Sequence, residues 1–178
     1  TPRPNIIFIL ADDLGYGELG CYGQKLIQTP HIDRLAAEGM RFTQFYATPR
    51  CSPTRASLLT GVYPHQAGMG HLDTLVRAGS QGTTGRINDR SVTIAEVLRE
   101  AGYFTAMSGK WHLGQSNGTP PWERGFERVL SLRAGGMFFP NQNFQGGDDT
   151  LTSRSREPLY LDGVATPRDA PIFGQTWY

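Results

Sequence analysis

Cysteine is scarce in this chain: its 178 residues hold two, Cys21 and Cys51. Two cysteines cannot make a disulfide framework, and they could pair only if the fold brought their Cα atoms within ~7 Å. Long hydrophobic runs are absent. No stretch reaches the roughly eighteen apolar residues of a spanning helix, so no membrane span is expected. An excess of either charge is also lacking. The net charge is +1, so composition gives no ground for nucleic acid or an anionic membrane as partner. The longest early apolar run, Ile6 to Ala11, is too short and wrongly flanked for a signal peptide. Internal repeats and low-complexity tracts are missing as well. The chain opens on Thr1 rather than methionine, which points to a processed or trimmed chain.

What is present suits a soluble globular protein. Hydrophobic residues make up 38% and charged residues 19%, and the length fits one domain with a sizeable core. Asn5 to Leu10 is a short continuous apolar run, the pattern of a strand buried on both faces of a parallel sheet. It ends in Asp12-Asp13 and a Gly-rich turn. Thr29 reads as a helix N-cap, Pro30 as the first helical residue and Gly39 as the stop, with Ile32, Leu35 and Ala36 on one face. Met40 to Ala47 reads as an aromatic-bearing strand. Ser52 caps and Pro53 starts a second helix that Gly61 closes. Gly68 to Asp89 is weakly patterned and reads as a loop. Thr93-Ile94-Ala95-Glu96 is a capping box, and Ile94, Val97, Leu98 and Ala101 form the stripe of the helix that Gly102 ends. Tyr103 to Ser108 reads as a strand, as does Phe126 to Leu132. Glu157 to Gly163 reads as a strand with a turn. Strand and helix alternate, so the expected class is α/β with a mostly parallel or mixed sheet flanked by helices. Residues 115–178 read as an irregular, loop-rich segment.

Ligands in open α/β sheets gather beyond the carboxyl ends of strands. Three groups of polar residues fall at such positions on this reading. Asp12 and Asp13 follow the first strand. Cys51 and Arg55 follow the strand ending near Ala47. Lys110 and His112 follow the strand ending near Ser108. Adjacent carboxylates repel unless a cation lies between them, and hard divalent cations favour such oxygens; a solvated turn is the plainer alternative. A cysteine before a helix N-terminus meets free N–H groups and the positive end of the helix dipole, where an anion binds readily. A thiol there is either reactive or a half-buried structural residue. Arg55 lies one helical turn on, and its planar fork suits an anion or a neighbouring ligand. Alternation in an extended segment points Lys110 and His112 to one side and Trp111 to the other. Lys110 would offer fixed charge and His112 a proton carrier, or the two are a rim lysine and a structural histidine. His31, His65 and His71 have no comparable placement, and Cys21 reads as a packed structural residue.

These residues resemble a known family. Cys51-Ser52-Pro53-Thr54-Arg55, followed by an apolar helix ending Thr60-Gly61, is similar to the signature of the type I, formylglycine-dependent sulfatases. Ala11-Asp12-Asp13-Leu14-Gly15-Tyr16-Gly17 resembles the family's metal motif. Gly102-Tyr103 through Gly109-Lys110-Trp111-His112-Leu113-Gly114 resembles its second signature. The resemblance runs from about Asn5 to about Phe126. It implies an arylsulfatase-like fold of the alkaline phosphatase superfamily, with residues 1–178 as the N-terminal portion of the catalytic domain.

The resemblance also implies a mechanism. Cys51 is oxidised to Cα-formylglycine by a formylglycine-generating or anaerobic sulfatase-maturating enzyme. The hydrated aldehyde attacks a sulfate monoester, aryl or carbohydrate, with Ca²⁺ (Mg²⁺ as an alternative) held by Asp12, Asp13 and the modified Cys51. Arg55 orients the diol, Lys110 bridges it to the sulfate, and His112 takes the proton as sulfate leaves. Sulfatases are often exported, so a periplasmic or secreted location is expected. The family's later Asp-Asn metal pair and its later substrate-binding His and Lys have no counterpart here, and Asp148-Asp149 has the wrong context. Two other readings remain: a phosphate or phosphonate monoester hydrolase of the same superfamily, and a non-catalytic anion-binding fragment.

Overall fold

The structure is a computed structural model that describes residues 2–72, 82–114, 119–132 and 160–165. The chain divides into two compact units, Thr1–Tyr46 and Ala47–Tyr178.

In the first unit the regular element is helix α1, Pro30–Glu38. Pro30 occupies the first helical position, where its missing N–H costs nothing, and Gly39 follows the last turn as expected. Thr29 precedes the helix but does not cap it with its side chain. Its hydroxyl donates to Asp33 Oδ1 at 3.0 Å and accepts from the Gly20 N–H at 2.9 Å. Asp33 also accepts from the Cys21 N–H at 2.6 Å. The helix start is thus tied to the turn carrying Cys21 instead of being closed on itself. Two single-turn 3₁₀ helices, Tyr16–Glu18 and Gly20–Tyr22, precede it.

Two expected strands are absent from this unit. Asn5 to Leu10 and Met40 to Tyr46 form no ladder, and their apolar side chains lie in the open, Ile7 at 86% and Phe45 at 78% exposure. An apolar run supplies the side chains of a buried strand but not its hydrogen-bonding neighbours, and no strand pairs with either segment among the described residues.

The second unit holds helices α2, Cys51–Thr60, and α3, Ile94–Glu100. Helix α2 begins earlier than Ser52. Arg50 is its N-cap, in extended geometry, and its carbonyl accepts the Thr54 N–H at 3.0 Å. Helix α3 closes its capping box as read: the Glu96 N–H donates to Thr93 Oγ1 at 3.2 Å, and the Thr93 N–H donates to Glu96 Oε2 at 2.6 Å.

The sheet has four strands in the order β1, β2, β3, β4: Ala106–Lys110, Arg128–Leu132, Tyr160–Leu161 and Val164–Ala165. The β1/β2 pair is parallel, with Ala106 opposite Arg128 and Lys110 opposite Leu132. The other two pairs are antiparallel. This is the mixed α/β arrangement expected, with β1 displaced toward the C-terminus from the reading of residues 103–108. The β3–β4 turn is at Asp162-Gly163, where Gly163 has φ 90°. Residues 157–159, the start of the expected strand, lie outside the described residues, as do 133–159 as a whole.

The core of this unit joins Ala56 of α2, Ala67, Met69, Ile87, Trp111 and Leu113, with Leu59, Met107 and Phe126 packed against it. Around it a polar clamp fixes the crossover from β1 to β2. Arg124, buried, pairs with Glu96 at 3.1 Å and donates to the Ser91 carbonyl. Thr93 Oγ1 donates to the Arg124 carbonyl at 2.8 Å, and Thr105 Oγ1 to the Gly125 carbonyl at 2.6 Å. Burial pushes the Glu96 carboxyl up, but the Thr93 N–H and the Arg124 guanidinium outweigh it and hold the group below its ordinary value. Gly125 has φ 95°, and a Cβ there would stand 2.3 Å from the Glu96 nitrogen, so only glycine lets the crossover lie this close to α3.

Candidate active site

The second unit brings together Cys51, Arg55, Lys110 and His112 on two elements. Cys51 is the first residue of α2 and half-buried. It is inside the helix rather than before it, since Arg50 supplies the cap. The first turn carries the Cys51 and Ser52 N–H groups, while Pro53 has none. Arg55, four residues on, shares the Cys51 face of the helix. It is buried, at 9% exposure, and one of its terminal nitrogens donates to the Lys110 carbonyl. That bond ties α2 to the end of β1. Below Cys51 the chain is braced again, with the Thr54 hydroxyl and the Arg50 N–H both donating to the Thr48 carbonyl.

Lys110 is the last residue of β1. It is the one candidate that stands at an observed strand end, because the strands expected before Asp12 and Cys51 are not formed. Trp111 is buried at 1% exposure, and its indole N–H donates to the Thr119 carbonyl at 2.8 Å. Its ring meets Phe126 edge to face, centroids 6.3 Å apart. His112 leaves the expected alternation. It has φ 58°, in the left-handed region, and is 93% buried by its 7% exposure. The Leu113 carbonyl then accepts the Ile87 N–H at 3.0 Å. Sequence patterning missed the anchoring groups, Thr119 and Ile87, because main-chain atoms do the holding and carry no side-chain signature.

Asp12 and Asp13 belong to the first unit, and both are exposed. Asp13 has φ 60°. Asp tolerates that region better than most residues, yet such a conformation still costs on the order of 1–3 kcal/mol and is concentrated at binding sites and active sites. Carboxylate oxygens, adjacent and open to solvent, suit a hard divalent cation. The unit also has a cavity of about 670 Å³ lined by Gly20, Cys21, Asp33, Ala36, Ala37 and Arg41. None of the candidate residues lines it. Cys21 there is half-buried, with its N–H bonded to Asp33 and its carbonyl to Arg41. His31 is exposed on the first turn of α1. Part of the loop read at 68–89, residues 73–81, lies outside the described residues, as does Asp148-Asp149.

The sulfatase family model matches residues 4–168. The chain belongs to the sulfatase family. It is 43% identical to the arylsulfatase of Klebsiella aerogenes over 96% of its own length and 41% of that relative. To human arylsulfatase A it is 48% identical over 84% of its length and 28% of that relative. Among solved structures, the crystal structure of Ps i-CgsB superposes with a TM-score of 0.76 at 35% identity, covering 93% of this sulfatase chain and 37% of the other. The chain therefore spans about a fifth to two-fifths of the length of the curated relatives it matches. The matched span contains all six candidate residues, from Asp12 to His112. Among the described residues, no helix is long and apolar enough to cross a membrane.

Proposed function

We propose that the protein hydrolyses sulfate monoesters, with Cys51 as the site of the nucleophile after oxidation to Cα-formylglycine. The observation that carries the reading is the tie between Arg55 and the Lys110 carbonyl. It couples the helix that starts with Cys51 to the strand that ends in Lys110, in a chain of the sulfatase family. The substrate is a singly charged anion. The first turn of α2 offers N–H groups and a positive dipole end, and Arg55 and Lys110 add two fixed cations. In these roles Arg55 orients the reacting group of residue 51. Lys110 bridges to the sulfate and offsets the charge that develops in the transition state. His112 carries a proton to or from the reacting oxygens. Asp12, Asp13 and residue 51 would hold a Ca²⁺ or Mg²⁺, whose contribution when bound is Lewis-acid activation of the nucleophile. A maturating enzyme that oxidises Cys51 is the implied protein partner.

Two measurements test this. Mass spectrometry of the peptide spanning Cys51, from a host with the oxidising system, is expected to show an aldehyde that reacts with a hydrazine probe. Turnover of p-nitrophenyl sulfate is expected to exceed that of p-nitrophenyl phosphate, and Cys51→Ala is expected to lower it on the order of 10³-fold or more. Faster phosphate than sulfate turnover would move the reading to a phosphate monoester hydrolase. Cation binding without turnover of either ester would move it to an anion-binding protein.

A further inference from the structure

The segment leaving β1 is held from three sides. Arg55 of α2 grips the Lys110 carbonyl. The Trp111 indole N–H grips the Thr119 carbonyl at 2.8 Å across the crossover. The Ile87 N–H grips the Leu113 carbonyl at 3.0 Å. Between these anchors stands His112 with φ 58°. A β-strand does not turn into the left-handed region unaided, and a non-glycine residue stays there only when its surroundings over-determine it. The two neighbours of His112 differ in what they can supply. Leu113 is anchored by its backbone carbonyl and by apolar packing in the core, neither of which carries a directional side-chain bond. Trp111 is anchored through its side chain, by a hydrogen bond and by the edge-to-face contact with Phe126 at 6.3 Å, which only tryptophan makes together. Gly114 completes the turn with φ 116°, and a Cβ there would meet Arg86 Cβ at 2.7 Å and Thr119 Oγ1 at 2.9 Å. The chain on either side of His112 is therefore close-packed against the same residue, Thr119.

We infer that Trp111 is a positioning residue: its indole, pinned to the Thr119 carbonyl, sets the backbone turn that aims His112. The inference rests on the proposed role of His112 in sulfate ester hydrolysis for its kinetic consequence, though not for its structural one. In the proposed reaction Trp111 touches no reacting atom. It acts through His112, and a misplacement of about 1 Å at such a residue can cost on the order of 10²-fold in rate.

The test compares wild-type enzyme with Trp111→Phe, which keeps an aromatic ring and deletes the N–H. The expected result is a kcat for p-nitrophenyl sulfate lowered about 10- to 100-fold, with KM within about twofold because substrate contacts remain. The His112 imidazole NMR signals should shift or split, reporting a turn with more than one conformation. Rates are taken per folded molecule, counted by near-UV circular dichroism. If Trp111→Phe does not fold, benzothienylalanine at position 111 keeps the shape of tryptophan without the N–H and takes its place. A merely structural role would lower the melting temperature while leaving per-molecule kcat and the His112 signals as in the wild type, and that result overturns the inference. If wild-type enzyme turns over no sulfate ester, the functional reading fails by itself, and the His112 signals alone decide for or against positioning by Trp111.

Discussion

The two units use apolar residues in opposite ways. Among the described residues of the second unit, Ala56 of α2, Met69, Ile87 and Trp111 come from separate segments, pack in one core and are all at 1% exposure or less. In residues 2–46 no side chain is buried, although Ile6, Ile7, Phe8, Ile9 and Leu10 form the most apolar run in the chain. Composition is thus not what makes a core. The second unit has a parallel strand pair, helix α2 that buries Ala56, and helix α3 that buries Ala95 with its expected stripe, Ile94 and Val97, left exposed, while the first has one helix and turns held by polar groups such as Asp33 and Thr29. The candidate residues divide the same way. The cysteine, the arginine and the Lys110-His112 pair stand on packed elements, and the carboxylates stand on an open turn.

Substitutions in matched pairs sharpen that contrast. The largest difference is expected between Trp111→Ala and Ile7→Ala. The first should cost about 3–5 kcal/mol in urea unfolding. The second, at an exposed position, should stay within about 0.5 kcal/mol. Equal costs would mean that the first unit has packing its exposure does not reveal. Next comes a glycine pair. Gly125→Ala and Gly23→Ala both place a side chain at positive φ, 95° and 101°, but a Cβ at Gly125 meets the α3 backbone while one at Gly23 meets nothing within 4 Å. Both pay backbone strain of roughly 1–2 kcal/mol, and Gly125→Ala should pay a further ~1–3 kcal/mol for overpacking. Thr93→Ala removes an N-cap and the buried donor to the Arg124 carbonyl, and thermal melts should show a loss of about 1–2 kcal/mol.

The smallest effect is electrostatic. The Glu96 carboxyl lies below its ordinary 4.5, so its contribution is complete above that pH and is lost as pH falls through the lower, folded value. Glu96→Gln should therefore differ from wild type most at neutral pH, by less than ~1 kcal/mol for a partly solvated pair. The gap should close on acidification below about 4.5. A gap that widened in acid would mean that the buried Arg124 does not hold Glu96 ionised.

Local signals carried well from sequence to structure. The Thr93–Glu96 capping box, Pro30 opening α1, and Gly61 closing α2 are written in neighbouring residues, and each is found where it was read. Reading failed where structure depends on distant partners. Asn5 to Leu10 had the side chains of a central strand, but strands are made by their neighbours. Helix α2 starts at Cys51 because the Arg50 carbonyl takes the Thr54 N–H, although Ser52-Pro53 is the stronger local signal. At the site, Arg55 was legible as a residue and not as a tie, since its acceptor is a main-chain oxygen 55 positions away. The same holds for Trp111 and Thr119.

Among the described residues, the non-glycine positions with positive φ are Asp13, His112 and Asp162. Two of the three are candidate functional residues, and that bears on how variants should be chosen. Alanine at 13 or 112 removes a functional group and also releases a backbone constraint, so loss of activity could not be assigned to either. Asparagine accepts the left-handed region far more readily than alanine. Asp13→Asn and His112→Asn therefore change the chemistry while leaving the turn in place, and glycine at the same positions does the reverse experiment, keeping the conformation accessible with no side chain at all. A scan built from asparagine and glycine would separate shape from chemistry at these two points, where an alanine scan would confound them.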